Sequence, residues 1–467
     1  AAAAQPLGQG AAGAEGQGPA PAPREGATSL CALPAQVLED LLQYEPEGFA
    51  RRKLAETCRQ LDAFRVASQA AFRLGPASRG VRLPPELVTQ AIQRYPALET
   101  IDLSGFVEFT AGASARLAEG LSGSGGRGLR TLALRGCKGL TDVAVRRLLL
   151  SCPLLEVLDL LEIPRLGNRA LEAPLPWLRV LAAGSLGRPA VAESSRPRGD
   201  TNLASLGGPA APLKQRQQGS AQFTSALISR LAQRPPPPAV VPGRPELRSS
   251  ALTHAILPHC AEIEVLPKLP QLLQHLDLRG ANLQVPEAAV AKWRPLAGCT
   301  HLTTLCLAGN ALLSAAALLA CVGSLPEIAR LQVLDLSGTR ADAQAWAALP
   351  KIQPALTHLR VAGCVGLQNS GLALLLAGLL KLQALDVASC GMLEQPFADV
   401  LDGAAAAARG AAVAAELRLL GVGQTDFAAS HLEATRRSLA AFAPAARVLQ
   451  GSLDLLAGYA ALPPALL

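Results

Sequence analysis

Apolar residues recur along this chain in two alternating rhythms. A strand rhythm puts large apolar side chains at the first, fourth and sixth places of a six-residue unit. A sharp turn follows, and then a helical rhythm. The unit occurs as Leu98-Ile101-Leu103, Leu129-Leu132-Leu134, Leu155-Leu158-Leu160 and Leu178-Leu181-Ala183. It returns as Leu273-Leu276-Leu278, Leu302-Leu305-Leu307, Leu331-Leu334-Leu336, Leu356-Leu359-Val361 and Leu382-Leu385-Val387, with a weaker copy at Leu417-Leu420-Val422. Successive sixth places lie 23 to 35 residues apart, except for a gap of 95 between Ala183 and Leu278. A single shift of 227 residues carries Leu129 onto Leu356, Cys137 onto Cys364 and Gly139 onto Gly366. The same shift carries Val145, Leu148, Leu149 and Cys152 onto Leu372, Leu375, Leu376 and Leu379. Those four are spaced i, i+3, i+4, i+7, which is one buried stripe of a helix. Pro153 then helps to stop it.

One strand–turn–helix unit cannot bury its apolar face alone, whereas stacked units share a core. The period predicts an α/β leucine-rich-repeat solenoid, a horseshoe with parallel strands inside and helices outside. The gap of 95 has room for one irregular repeat. Alternation along each strand points the fourth and sixth places into the core and the third, fifth and seventh onto the concave face. The fifth places read Asp102, Ala133, Asp159, Ala182, Asp277, Cys306, Asp335, Arg360, Asp386 and Gly421, with Asp at alternate members. Two readings stay open. Leu-Asp-Leu is a common solvated repeat sequence, or the carboxylates form a mildly acidic inner stripe for a basic partner segment. The candidate partner-binding residues are Asp102, Arg135, Asp159, His275, Asp277, Arg279, Asp335, His358, Arg360 and Asp386. A strand hidden in the gap would break the alternation across it.

Composition changes this picture in places. Half of the 467 residues are apolar, enough for a large core, but only 3% are aromatic, too few for a base-stacking surface. The formal charge is +7. Between Gly184 and Ser250 nine Lys/Arg face three Asp/Glu, so most of the excess belongs to one segment, without interleaved aromatics. No nucleic-acid partner is expected. Residues 1–28 and 187–250 are rich in Ala, Gly, Pro and Gln and are expected to be disordered. An island within the second, SAQFTSALISRLAQR, puts Phe223, Leu227 and Leu231 on one helical stripe. It reads either as the displaced outer helix of a repeat or as a docking helix. The uncharged run from Pro295 to Pro326 passes a length rule for a membrane span. It contains the strand-then-helix pattern, so no membrane partner is expected. The chain opens on Ala1 without a secretory pattern, which leaves room for an upstream part.

The repeats resemble the cysteine-containing class of leucine-rich repeat found in F-box proteins. The motif L-x-x-L-x-L-x-x-C-x-x-L-T-D matches Leu129 to Asp142. Cys364 and Cys390 hold the same cysteine place, and Asn310 is the asparagine variant. Upstream, LPAQVLEDLLQYEPEGFARRKLAETCRQLDAFRV is similar to an F-box, which would make residues 29–75 a small helical module before a solenoid over 76–430 and a cap over 431–467. The resemblance implies contact with a Skp-type adaptor through Leu33, Pro34, Leu38, Leu41, Leu42, Leu54, Cys58 and Phe64. Pro34 suits the first turn of a helix. Glu45 stands where the family has an apolar residue, and no Trp follows Arg59. A helical cap shielding the first repeat is the alternative.

Catalytic patterns are missing. Gly8-Gly10-Gly13 and Gly123-Gly125-Gly128 match a dinucleotide fingerprint, but neither lies between a strand and a helix in that order. The six histidines are far apart, and the ten cysteines are single, without close metal-ligating pairs. Reduced, buried thiols in the cytoplasm or nucleus are the expectation, with no cofactor, no metal and no enzyme activity. The resemblance implies a substrate-recognition subunit of a cullin-type ubiquitin ligase, monomeric within its complex with adaptor and cullin, holding a protein substrate on the concave face. The alternative is an interaction scaffold with no ligase link.

Overall fold

The computed structural model describes residues 71–73, 90–122, 128–185, 223–232, 252–393, 396–408, 416–425 and 432–450, apart from positions 91, 94, 96 and 329. The tail 1–28 and the F-box-like residues from Leu33 to Phe64 lie outside them.

Among the described residues one parallel sheet runs through thirteen strands in chain order. They are β1 (Ala71–Arg73), β2 (Thr100–Asp102), β3 (Thr131–Ala133), β4 (Val157–Leu161), β5 (Val180–Gly184), β6 (His254–Ile256), β7 (His275–Asp277), β8 (Thr304–Cys306), β9 (Val333–Asp335), β10 (His358–Arg360), β11 (Ala384–Asp386), β12 (Leu419–Gly421) and β13 (Arg447–Leu449). The helices crossing between them are α1 (Ala111–Ser122), α2 (Asp142–Leu150), a 3₁₀ helix (Asn168–Leu171), α3 (Ser225–Ala232), α4 (Glu287–Val290), α5 (Ala315–Val322), α6 (Ala343–Ile352), α7 (Asn369–Gly378), α8 (Phe397–Ala407) and α9 (Leu432–Phe442). This is a leucine-rich-repeat solenoid. β1 and β13 carry the sheet beyond the expected limits of 76–430 at both ends.

Strand register keeps equal places side by side: Leu132 lies between Ile101 and Leu158, and Leu359 between Leu334 and Leu385. The fourth and sixth places are therefore stacked columns, and Leu132, Leu134, Leu359 and Val361 are fully buried. The predicted helical stripes face them, with Val145, Leu148 and Leu149 buried on α2 and Leu372, Leu375 and Leu376 on α7.

Several corners between strand and helix are tied to the repeat before them. The Cys137 thiol donates to the Leu103 carbonyl at 3.3 Å, Cys364 to Leu336 at 3.2 Å and Cys390 to Val361 at 3.2 Å. In each case the acceptor is the sixth-place carbonyl of the preceding repeat. Asn310 does the same with its amide, donating to Leu278 at 2.9 Å while its Oδ1 accepts from the Leu283 N–H. The Thr-Asp pair after the corner has two separate duties. Thr141 caps α2 by accepting from the Ala144 N–H, and Asp142 accepts from Gly167 at the start of the next crossover.

The irregular repeat inside the gap of 95 is real. β6 pairs with β5 and β7, and Leu252, Ala255 and Leu257 fill its first, fourth and sixth places. The outer helix that leads from β5 into it is α3, so residues 223–232 correct the expectation of disorder throughout 187–250. Phe223 and Leu227 are fully buried and Ile228 is nearly so, because the stripe covers a core that the repeat would otherwise leave open. Asn168 holds the start of α3 by donating to the Thr224 hydroxyl at 2.6 Å and accepting from its N–H at 3.0 Å. Of the two readings of this island, the outer helix is the one observed.

Candidate functional site

The candidate face is the side of the sheet opposite the helices, formed by the third, fifth and seventh places of each repeat. It has two parts. The stretch from β4 to β6 is apolar: Val157, Leu161, Val180, Ala182 and Ile256 form a buried cluster separate from the main core. The runs VLDLL and VLAAG signal this, since a strand buried on both faces reads as a near-continuous apolar run. Counting only the fifth places missed it. Ile256 of β6 also falls between Ala182 and Asp277, so the alternation of aspartates does not persist across the sheet.

The stretch from β7 to β11 is ionic, and the five aspartates of β2, β4, β7, β9 and β11 do not form a solvated stripe. Asp159, Asp277, Asp335 and Asp386 are 5%, 1%, 1% and 0% exposed; Asp102 alone of the five is half-buried. Each carboxylate turns back on its own chain. The backbone N–H two residues on donates to Oδ1 in all five: Ser104 to Asp102, Leu161 to Asp159, Arg279 to Asp277, Ser337 to Asp335 and Ala388 to Asp386, at 2.9–3.0 Å. The aspartate thus satisfies an N–H at the strand exit, a local bond this short side chain makes readily. Asp159, Asp277, Asp335 and Asp386 are therefore neither solvated nor open to an incoming basic group in this structure, whereas Asp102 keeps part of its exposure.

Guanidinium groups lie over these carboxylates. Arg279 donates to Asp277 Oδ2 at 2.7 Å through its terminal nitrogen and at 3.0 Å through Nε, which also reaches Oδ1 at 3.2 Å. Burial works against the Arg279 charge, but the hydrogen bonds and attraction of Asp277 more than offset it and leave its pKa above the ordinary value. Arg360 on β10 reaches both neighbours, Asp386 on β11 at 3.1 Å and Asp335 on β9 at 3.5 Å. The side chains of Arg279 and Arg360 keep 22% and 21% exposure, so donors rather than carboxylate oxygens are what an incoming chain would meet.

The other predicted residues fall on the same face with different surroundings. Arg135 is half-buried and lowers the pKa of Asp159, but burial dominates there and raises that carboxyl to about 6. His275 is almost fully buried and stacks on His254 with ring centroids 5.9 Å apart. Burial pushes its pKa down to about 4, so it is a neutral packing residue rather than a contact residue. His358 is half-buried, hydrogen-bonded to the Thr357 hydroxyl at 2.8 Å, and held neutral by burial. His254, which the sequence reading did not select, is its counterpart on β6, bonded to Thr253 at 2.9 Å. The repeated Thr-His pair was the available signal.

The eight described cysteines are free and buried. Burial raises the Cys137 and Cys390 thiols to about 12 and Cys306 well above its ordinary value, which makes them poor nucleophiles. Among the described residues no cluster of His, Cys, Asp and Glu could hold a metal ion, and no helix is long and apolar enough to cross a membrane.

No protein-family model matches this sequence, and no curated protein matches it. Among solved structures the chain is similar to one in the yeast Rad7–Elc1 complex, at 16% identity over 69% of this chain and 70% of that one, with a TM-score of 0.44. It is also similar to an internalin, InlF, from Listeria monocytogenes, at 13% identity over 78% and 70% with a TM-score of 0.36. A third is the leucine-rich-repeat-containing protein LegL7 from Legionella pneumophila, at 13% identity over 81% and 89% with a TM-score of 0.34.

Proposed function

We propose that this chain is a non-catalytic protein-recognition subunit of a cullin-type ubiquitin ligase, acting in the cytoplasm or nucleus. In this reading residues 29–75 engage a Skp-type adaptor and the solenoid holds the substrate. The observation that carries it is the order of parts: Leu33-Pro34, an amphipathic stretch and Cys58-Arg59 stand directly before a solenoid whose corners carry Cys137, Cys364 and Cys390. A stacked array of this kind offers an extended surface built from neighbouring repeats, which suits a protein partner better than a small molecule.

On the inner face the contact groups in this reading are Arg135, Arg279, Arg360, His254 and His358. The buried aspartates hold the guanidinium groups in place. A partner segment would accept hydrogen bonds from Arg279 and Arg360, and the paired carboxylates would fix which donors remain available.

The deciding experiment is co-purification of the intact chain with the Skp-type adaptor of its own organism. Adaptor should be recovered, and the Leu33→Ala/Pro34→Ala double variant should lose it. An intact chain that recovers no adaptor removes the ligase reading. Glu45 and the missing Trp after Arg59 favour a second reading, a recognition scaffold without ligase partners. That reading expects stable complexes in which adaptor is absent and partner levels do not respond to proteasome inhibition.

A further inference from the structure

The outer helices carry a charge pattern that the inner face does not use. In α1, α2 and α3 the third and fourth residues are buried: Ala113 and Ser114, Ala144 and Val145, Leu227 and Ile228. The three helices therefore present equivalent faces to solvent. The sixth residue of each is an exposed arginine: Arg116, Arg147 and Arg230. Arg169 of the intervening 3₁₀ helix is exposed as well. That 3₁₀ helix packs against both α2 and α3, and α1 packs against α2, so the four elements form one continuous layer. The same sixth place in α5, α6 and α7, which also bury their third and fourth residues, is Ala320, Ala348 and Leu374; α8 buries its fourth and fifth residues instead, and exposes Asp399 and Asp402. The run of neighbouring arginines is thus confined to α1–α3; α9 carries Arg437 at its sixth place, but with no arginine at that place in the adjoining α8. Position within a helix does not explain it, because α5 to α7 share the geometry and lack the charge.

We propose that this row is a docking surface for an acidic protein segment, separate from the inner face and independent of adaptor binding. Guanidinium groups bind carboxylates through paired N–H donors. Packed helices sit roughly 8–10 Å apart, and an extended chain advances about 3.3 Å per residue. An extended segment with a carboxylate at every third residue therefore matches the row. Glu119, Asp142 and Glu172 stand on the same layer, and Arg146 is paired with Glu172 at 3.1 Å. Interleaved carboxylates oppose a continuous phosphate backbone but leave single carboxylates free to choose between arginines, so a protein rather than a nucleic acid is the partner.

The test uses the full chain and three fluorescent probes: a peptide with Glu at every third position, a peptide of the same composition with its Glu residues clustered, and a single-stranded oligonucleotide. The spaced peptide should bind in a salt-sensitive way, and Arg147→Gln/Arg169→Gln/Arg230→Gln should weaken it by about tenfold or more. Arg436→Gln/Arg437→Gln, at the far end of the solenoid, should leave it unchanged. Circular dichroism of the triple variant guards against loss of fold. Binding of the spaced peptide that the triple variant retains within about twofold, no preference over the clustered peptide, or tighter arginine-dependent binding of the oligonucleotide overturns the proposal.

Discussion

The aspartates of the inner face show how one residue type can be read correctly by place and wrongly by role. The repeat pattern puts Asp386 on the face opposite the helices, and it is there. Its surroundings come from β10 and β12, which pair with β11 on either side. Arg360 and the Ala388 N–H claim its oxygens and leave it fully buried. Replacing Asp386 with Ala should therefore cost about 2–4 kcal/mol, because it strands a strand-exit N–H and removes one partner of a buried guanidinium pair. Urea denaturation measures this directly. A loss within about 0.5 kcal/mol is what a solvated surface carboxylate would give. Asp159 makes a different prediction. Burial holds its folded-state pKa at about 6, above the ordinary value of 3.8. The folded protein therefore takes up this proton more readily than the unfolded chain, and the ionised form lowers stability at neutral pH. That cost fades as the pH falls from 6 towards 3.8. Asp159→Asn keeps an oxygen for the Leu161 N–H, and should be more stable than wild type at pH 7 by on the order of 2 kcal/mol, the gap closing by about pH 4. Denaturation of both proteins across that range checks it, and a gap that widens on acidification would show that Arg135, not burial, governs the site.

At the scale of elements, the helix α3 shows how an insertion keeps what the solenoid needs. The basic, proline-rich composition around it reads as unfolded, yet Phe223, Leu227 and Ile228 carry a helical stripe. The crossover from β5 to β6 has no other helix among the described residues to cover the core. Phe223→Ala should destabilise the solenoid by about 3–5 kcal/mol, the cost of emptying a fully buried aromatic site. The effect should show as a lower midpoint in thermal or denaturant unfolding. A surface docking helix would leave that midpoint where it is. The strand entries have an ordering that single-repeat reading misses. The residues before the strands run Glu99, Arg130, Glu156 and Arg179, with Arg130 paired to Glu156 at 3.2 Å and within 4.0 Å of Glu99. Arg179 approaches Glu156 at 3.9 Å. Opposite charges alternate because neighbouring repeats set these places side by side, as cross-strand pairs do in any sheet.

For the whole molecule, a stack of repeats is held by nearest-neighbour contacts, so its ends matter. β13 and α9 lie beyond the last unit that the leucine pattern marks, and α9 buries Leu439 while Val448 packs at the edge of the core. Ending the chain after Thr425 should expose Leu417, Leu420 and Val422, lower the unfolding temperature by several degrees and raise binding of an apolar dye. Unchanged values would mean that the last repeat needs no cover. The sequence alone determined the solenoid, its parallel strands, its buried helical stripes and its corner cysteines. These follow from period and residue size, and a repeated pattern states them many times over. The tertiary structure decided three things: that four of the five aspartates are buried and tied to their own strand exits, that α3 and β6 carry the stack across the insertion, and that exposed arginines recur on neighbouring outer helices. Each of these depends on which side chains become neighbours across repeats 20 or more residues apart. Hydrophobic period sets where a side chain points, but hydrogen-bond partners and desolvation, which decide what it can do there, come from the adjoining turns of the stack.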